Sequence, residues 1–164
     1  MTVDTIQDLF EHGLEDIYHA EHQLLDALAD LQEHTEREEI AQAFSEHREE
    51  TRGQIQRLEE VFEIFGEPPE KEECEGIEGL IQEYEEFTSE DPSQDVLDYH
   101  NMAAAEKTEH YEIAAYGNLI PLADQLGMDE GADLLEENLR EEQDALEELK
   151  ELTEEFEIDA IPAE

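Results

Sequence analysis

Two short phrases occur twice in this chain, at matched separations. Ala20-Glu21-His22 is followed by Arg48-Glu49-Glu50, and Thr108-Glu109-His110 by Arg140-Glu141-Glu142, so Glu21 precedes Glu50 by 29 positions and Glu109 precedes Glu142 by 33. Separations of that size fit the two arms of a helical hairpin. A hairpin written twice gives four helices, each with a carboxylate near mid-length, and carboxylates facing one another in a helical bundle are how proteins build two-metal sites.

The apolar pattern agrees. Phe10, Leu14, Ile17, Leu24, Leu28 and Leu31 recur at three- and four-residue steps over about residues 4–33, with Glu21 filling the gap. Thr35 with Glu38 reads as a capping box opening a second helix, whose stripe of Ile40, Phe44, Leu58, Phe62 and Phe65 ends at Gly66. Its interrupted middle holds His47, Glu50, Thr51 and Gln54. Tyr99, Met102, Ala103, Ile113, Tyr116, Ile120 and Ala123 mark a third long helix over about residues 93–126. Asp129 caps a fourth, striped by Ala132, Leu135, Leu139, Leu146, Leu149 and Phe156, before a frayed tail from Asp159. Between the second and third long helices, Pro68-Pro69 marks a loop and Ile77, Leu80, Ile81, Tyr84 and Phe87 a shorter helix. An insert of that length lets its two flanking helices run parallel. The expected fold is all-α: a four-helix bundle with one long crossover containing a short extra helix, residues 1–164 forming a single domain.

The 164 residues are 38% hydrophobic, enough for a real core, yet 51 acids face 8 bases for a formal net charge of -43. Strong periodicity excludes a disordered acidic tail. The even spread of acid is the pattern of a protein from a very salty cytoplasm, where counterions screen self-repulsion. With Lys71, Lys107, Lys150 and five Arg as the whole basic supply, nucleic acid and anionic membranes are not expected partners. Cys74 is the only cysteine, which excludes an intrachain disulfide and a zinc-thiolate cluster. No apolar run approaches a bilayer span and the start carries no targeting signal, so a cytoplasmic location is expected.

Glu21, Glu50, Glu109 and Glu142 lie on or beside the stripes, one per long helix. Either they sit at the edge of a wide stripe with heads in water, or they face inward and share protons or cations. Two divalent ions would match four carboxylates, and hard oxygen ligands with imidazole suit iron or manganese. Glu112 shares a face with Glu109 and offers a further ligand from the third helix, or is a solvated acid. His47, three residues before Glu50, can ligate or donate a hydrogen bond to a ligand. His22 and His110 stand one residue past a carboxylate, about 100° round the helix, which suits an outer hydrogen-bonding role. No phosphate loop, strained serine turn or Cys-His pair supports hydrolase chemistry.

The stretches LEDIYHAEHQLLDAL (Leu14 to Leu28), HREETRGQIQRL (His47 to Leu58), CEGIEGLI (Cys74 to Ile81), EHYEIAAYG (Glu109 to Gly117) and LLEENLREEQDAL (Leu134 to Leu146) resemble the YciE/YciF family. That resemblance covers nearly the whole chain. It implies a ferritin-like bundle, a homodimer, and a stress-linked role with a di-iron or manganese site. Glu21 and Glu109 match the single glutamates of the first and third helices, and Glu50 and Glu142 the glutamates of the two Glu-x-x-His motifs. The histidines of those motifs are missing, since Gly53 and Ala145 stand there. A working metal protein and a metal-free, non-enzymatic scaffold are therefore both open.

Overall fold

The computed structural model describes residues 2–164. Five α-helices follow one another: α1 (Ile6–Glu33), α2 (Glu38–Phe65), α3 (Glu75–Ser89), α4 (Gln94–Gln125) and α5 (Asp129–Glu155), closed by a 3-10 turn over Ile158–Ala160. The four long helices pack in a ring, α1 on α2, α2 on α5, α5 on α4 and α4 on α1, while α3 lies against α1 and α4. α2 and α4 run the same way, for Arg37 meets Asp98 near their starts and His47 meets Glu109 further along. The crossover makes that possible.

Helix starts follow a different logic from the one the sequence suggests. α1 opens with a true capping box: the Asp8 backbone N–H donates to Thr5 Oγ1 (3.1 Å) and the Thr5 N–H to the Asp8 carboxylate (3.0 Å). The Thr35–Glu38 box expected for α2 does not form. Thr35 Oγ1 donates back to the Leu31 carbonyl at 2.6 Å, α2 starts without a side-chain cap, and the N–H groups of Glu36 and Arg37, just ahead of it, go to Asp98 of α4 at 3.1 and 3.0 Å. Asn101 donates to Thr35 Oγ1 (2.9 Å), tying the same corner to α4. α5 likewise begins at Asp129 itself, without a side-chain cap. At its other end α2 closes as expected, with Gly66 at φ +90° and its N–H on the Phe62 carbonyl (2.9 Å).

Phe156, just ahead of the expected tail, is buried against Tyr99 (5.4 Å between ring centres) and beneath the Arg37 guanidinium (4.0 Å). From Asp159 onward only Ile161 packs on the same cluster, and the other residues are exposed. Two apolar clusters fill the interior. One gathers Phe10, Leu14, Ile17, Leu58, Phe62, Leu119 and Leu135, the other Leu28, Leu31, Ile40, Phe44, Met102, Leu149 and Phe156. Between them the stripes of α1, α2, α4 and α5 are interrupted, and the interruption is where the buried acids lie. Among the described residues no helix is long and apolar enough to cross a membrane.

Candidate metal centre

Glu21 and Glu142 are fully buried, and Glu109 and Glu112 are 1% exposed. Four acids at that depth are unusual, because a carboxylate leaves water only at a large cost unless something charged or protic meets it. They come from three helices, Glu21 from α1, Glu109 and Glu112 one turn apart on α4, and Glu142 from α5. α2 contributes His47 instead of a carboxylate. Its Nε2 lies 2.9 Å from Glu109 Oε1 and 3.4 Å from Glu142 Oε2, and its Nδ1 lies 3.1 Å from Glu50 Oε2.

This corrects the expected ligand set at one point. Glu50 does not reach the interior; its side chain is 46% exposed and serves as partner to the outer nitrogen of His47. Residues 47 and 50 share a helix face, and the rotation of α2 against α4 and α5 turns His47 inward and Glu50 to the rim. His22 and His110 do not join the cage. His22 stands edge-on to Tyr18 (4.7 Å) with its Nε2 unpartnered, and His110 is exposed. One donor atom from each of His47, Glu109, Glu112 and Glu142 falls within 4.8 Å of the others. Glu21 stands beside this group, tied to Tyr116.

The hydrogen bonding of the cage is incomplete. Both oxygens of Glu112, Oε1 of Glu142, Oε2 of Glu109 and Oε2 of Glu21 are buried without a partner. Burial, followed by the charges of Glu142 and Glu21, holds the Glu112 carboxyl well above its usual range, and burial followed by Glu109 does the same to Glu142. Burial pushes Glu21 up to about 7. Glu109 is the exception. Burial raises it, but the adjoining His47 more than offsets this and leaves it lowered, while Glu109 and Glu142 outweigh the burial of His47 and hold its imidazolium well above the usual range. The cage thus balances as one His47–Glu109 ion pair among carboxyls that keep their protons unless a cation replaces them. Oxygen-rich donors with one imidazole fit a hard divalent ion such as iron or manganese.

A second layer fixes Glu21. Tyr116, fully buried, donates to Glu21 Oε1 at 2.5 Å; Asn138 Nδ2 donates to the Tyr116 oxygen at 3.2 Å and to the Gln54 carbonyl at 3.2 Å. Arg57 then donates to Asn138 Oδ1 (2.9 Å) and clasps Glu141 through both terminal nitrogens (3.0 and 2.8 Å). In the sequence Tyr116 is legible only as a core residue, and Asn138 does not stand out. The available signal was Asn138 itself, a polar residue one turn from Leu135 on the stripe of α5. A cavity of about 570 Å³ along α1 and α4, beside Leu9, Gly13 and Leu119, lies apart from these groups.

Comparison with known proteins extends over the same residues. Positions 5–159 match the family described as a domain of unknown function, DUF892. The chain is similar to protein YciF of Escherichia coli (strain K12), 47% identical over 143 residues, or 87% of this chain and 86% of that protein. The crystal structure of the E. coli stress protein YciF superimposes with a TM-score of 0.87 at 44% identity, covering 92% of this chain and 95% of that one. YcfI of Rhodopseudomonas palustris gives 0.88 at 42% identity, covering 90% and 94%. A protein of Xanthomonas campestris pv. campestris, 20% identical over 94% of this chain and 95% of its own, shares the fold with a TM-score of 0.77.

Proposed function

The chain belongs to the DUF892 family, and on that premise we propose that it is a ferritin-like carboxylate protein whose four long helices hold iron or manganese between them, serving a stress response as the name of its YciF relative suggests. The observation that carries this reading is the set of orphaned oxygens on Glu112, Glu142 and Glu109, buried where only protons or a cation can satisfy them. His47, Glu109, Glu112 and Glu142 would hold one ion, and Glu21 stands ready beside them for a second. When bound, such an ion supplies one-electron chemistry toward oxygen or peroxide. The protein's own residues do the rest. The Tyr116 hydroxyl fixes the Glu21 carboxylate, Asn138 and Arg57 fix Tyr116, and the apolar clusters on either side keep bulk water out.

The missing motif histidines and the exposed Glu50 favour a second reading, a metal-free scaffold whose cage is held together by shared protons. Metal analysis separates the two. Protein purified without chelators, or titrated anaerobically with ferrous iron or with Mn²⁺, is expected to take up about one ion or more per chain. The Glu112→Gln, Glu142→Gln double variant is expected to lose that uptake while keeping its helical circular dichroism. No uptake by the unaltered chain would overturn the metal reading and leave the scaffold. In that case the double variant is as stable as the unaltered chain or more so, since an amide keeps the shape of a protonated carboxyl and needs no proton to stay neutral.

A further inference from the structure

Resting on the cation reading of the cage, we propose that ions enter it through a throat walled by Ala43, Ala105 and Ala145, with Glu148 at its outer mouth and the His47 ring joining the Glu50 rim to the interior. A narrow recess of about 10 Å³ opens at this point, room for about one water molecule. Its floor is made by two groups of the cage, His47 and Glu109, and its rim carries Glu148. The recess therefore brings a mouth beside exposed Glu148 to two groups of the cage.

The walls argue for a passage. Leu28, Phe44 and Leu149 also line the recess, but three of its wall positions are alanine, with exposures of 6, 2 and 8% for Ala43, Ala105 and Ala145. Larger residues there would bury more apolar surface, at about 25 cal/mol per Å², and would close the recess. Ala145 is also the position at which the Glu-x-x-His pattern calls for an imidazole. With alanine there the imidazole of the site comes from the opposite side, on α2, and the wall of α5 is left open.

The outer end is built to collect cations. Glu148 is exposed, and after burial it is Glu46 and Glu50 that hold its carboxyl above the usual range, so negative potential concentrates at the mouth. His47 spans the two sides: its Nδ1 faces exposed Glu50 at 3.1 Å, and its Nε2 faces buried Glu109 at 2.9 Å. One imidazole ring is all that separates a rim carboxylate from the cage. An ion captured at the rim exchanges hydration water for carboxylate oxygens there and completes the exchange inside as it displaces the Nε2 contacts.

The test is the rate of Mn²⁺ uptake by the full-length, metal-free chain, followed by loss of the free-ion electron paramagnetic resonance signal, together with final occupancy. Ala145→Leu plugs the throat and is expected to slow uptake about tenfold or more, equivalent to about 1.4 kcal/mol on the barrier, with final occupancy unchanged. Glu148→Lys, on the exposed rim where folding is not at stake, is expected to slow uptake by about tenfold, since it replaces an attracting charge by a repelling one. Unchanged rates in Glu148→Lys, or in a folded Ala145→Leu, would overturn the route while leaving the metal site intact. A loss of final occupancy in step with rate would overturn it too, because these residues would then be ligands. No uptake by the unaltered chain would instead strike the cation reading on which the route rests.

Discussion

Individual side chains in the cage make the stability of the metal-free protein a function of proton concentration. Burial lifts Glu21 from its ordinary 4.5 to about 7, so between those values the folded chain binds a proton that the unfolded chain does not. A raised carboxyl contributes its full stabilisation below its unfolded value and loses it as pH rises through the folded one. Glu112 and Glu142 act in the same direction, and raised His47 also contributes below its unfolded value and loses that contribution at higher pH. Glu109, lowered by His47, has the opposite sign, losing its contribution as pH falls, and is outnumbered. Metal-free protein should therefore melt at a higher temperature at about pH 5 than at about pH 8. Glu21→Gln, uncharged at both, should narrow the gap while keeping an oxygen for Tyr116. Thermal melts of the two chains across that range check this, and a melting temperature that climbs from the acid to the alkaline end would contradict it. Divalent ions should reverse the trend, because they compete with the same protons.

Among the elements, α2 depends most on a distant neighbour. Asp98, 1% exposed on α4, accepts the N–H groups of Glu36 and Arg37 and so anchors the turn that leads into α2. Asp98→Ala should cost about 1–3 kcal/mol by leaving those N–H groups without their partner, which lowers the melting temperature by roughly 2–4 °C per kcal/mol at this chain length. A calorimetric shift indistinguishable from zero would mean that water replaces the carboxylate. This corner also shows where sequence reading stops. The helices themselves were legible, because a 3.6-residue period and a glycine such as Gly66 are local signals. An anchor at a position 62 residues away is not local, and Thr35, the obvious local capping candidate, turns back to Leu31. The candidate site divides in the same way. Glu21, Glu109 and Glu142 could be picked out because each lies on or beside an apolar stripe, and Glu112 because it shares the face of Glu109. Whether His47 or Glu50 turns inward could not, since they share one face of α2 and only packing against α4 and α5 sets its rotation. The Tyr116–Asn138–Arg57 chain joins three helices, and no single stretch of sequence contains it.

For the molecule as a whole, charge is the dominant fact. With a net charge of -43, self-repulsion is moderated only by counterions, whose screening length falls from about 10 Å at 0.1 M salt to about 3 Å at 1 M. The protein should gain thermal stability as potassium chloride is raised toward molar concentration. A circular dichroism melt indifferent to salt would contradict this dependence. The same imbalance gives unusual weight to the few bases. Arg57 holds Asn138, Glu137 and Glu141; Arg37 covers Phe156 and pairs with Asp95; Arg48 donates to the Leu25 carbonyl. Acids on the surface of such a protein are interchangeable with one another, and most can be lost or gained with little consequence for its shape. Its arginines are not, for no neighbouring cation can stand in for one that is removed. Sequence drift is therefore nearly free across the acidic exterior and stops at three guanidinium groups.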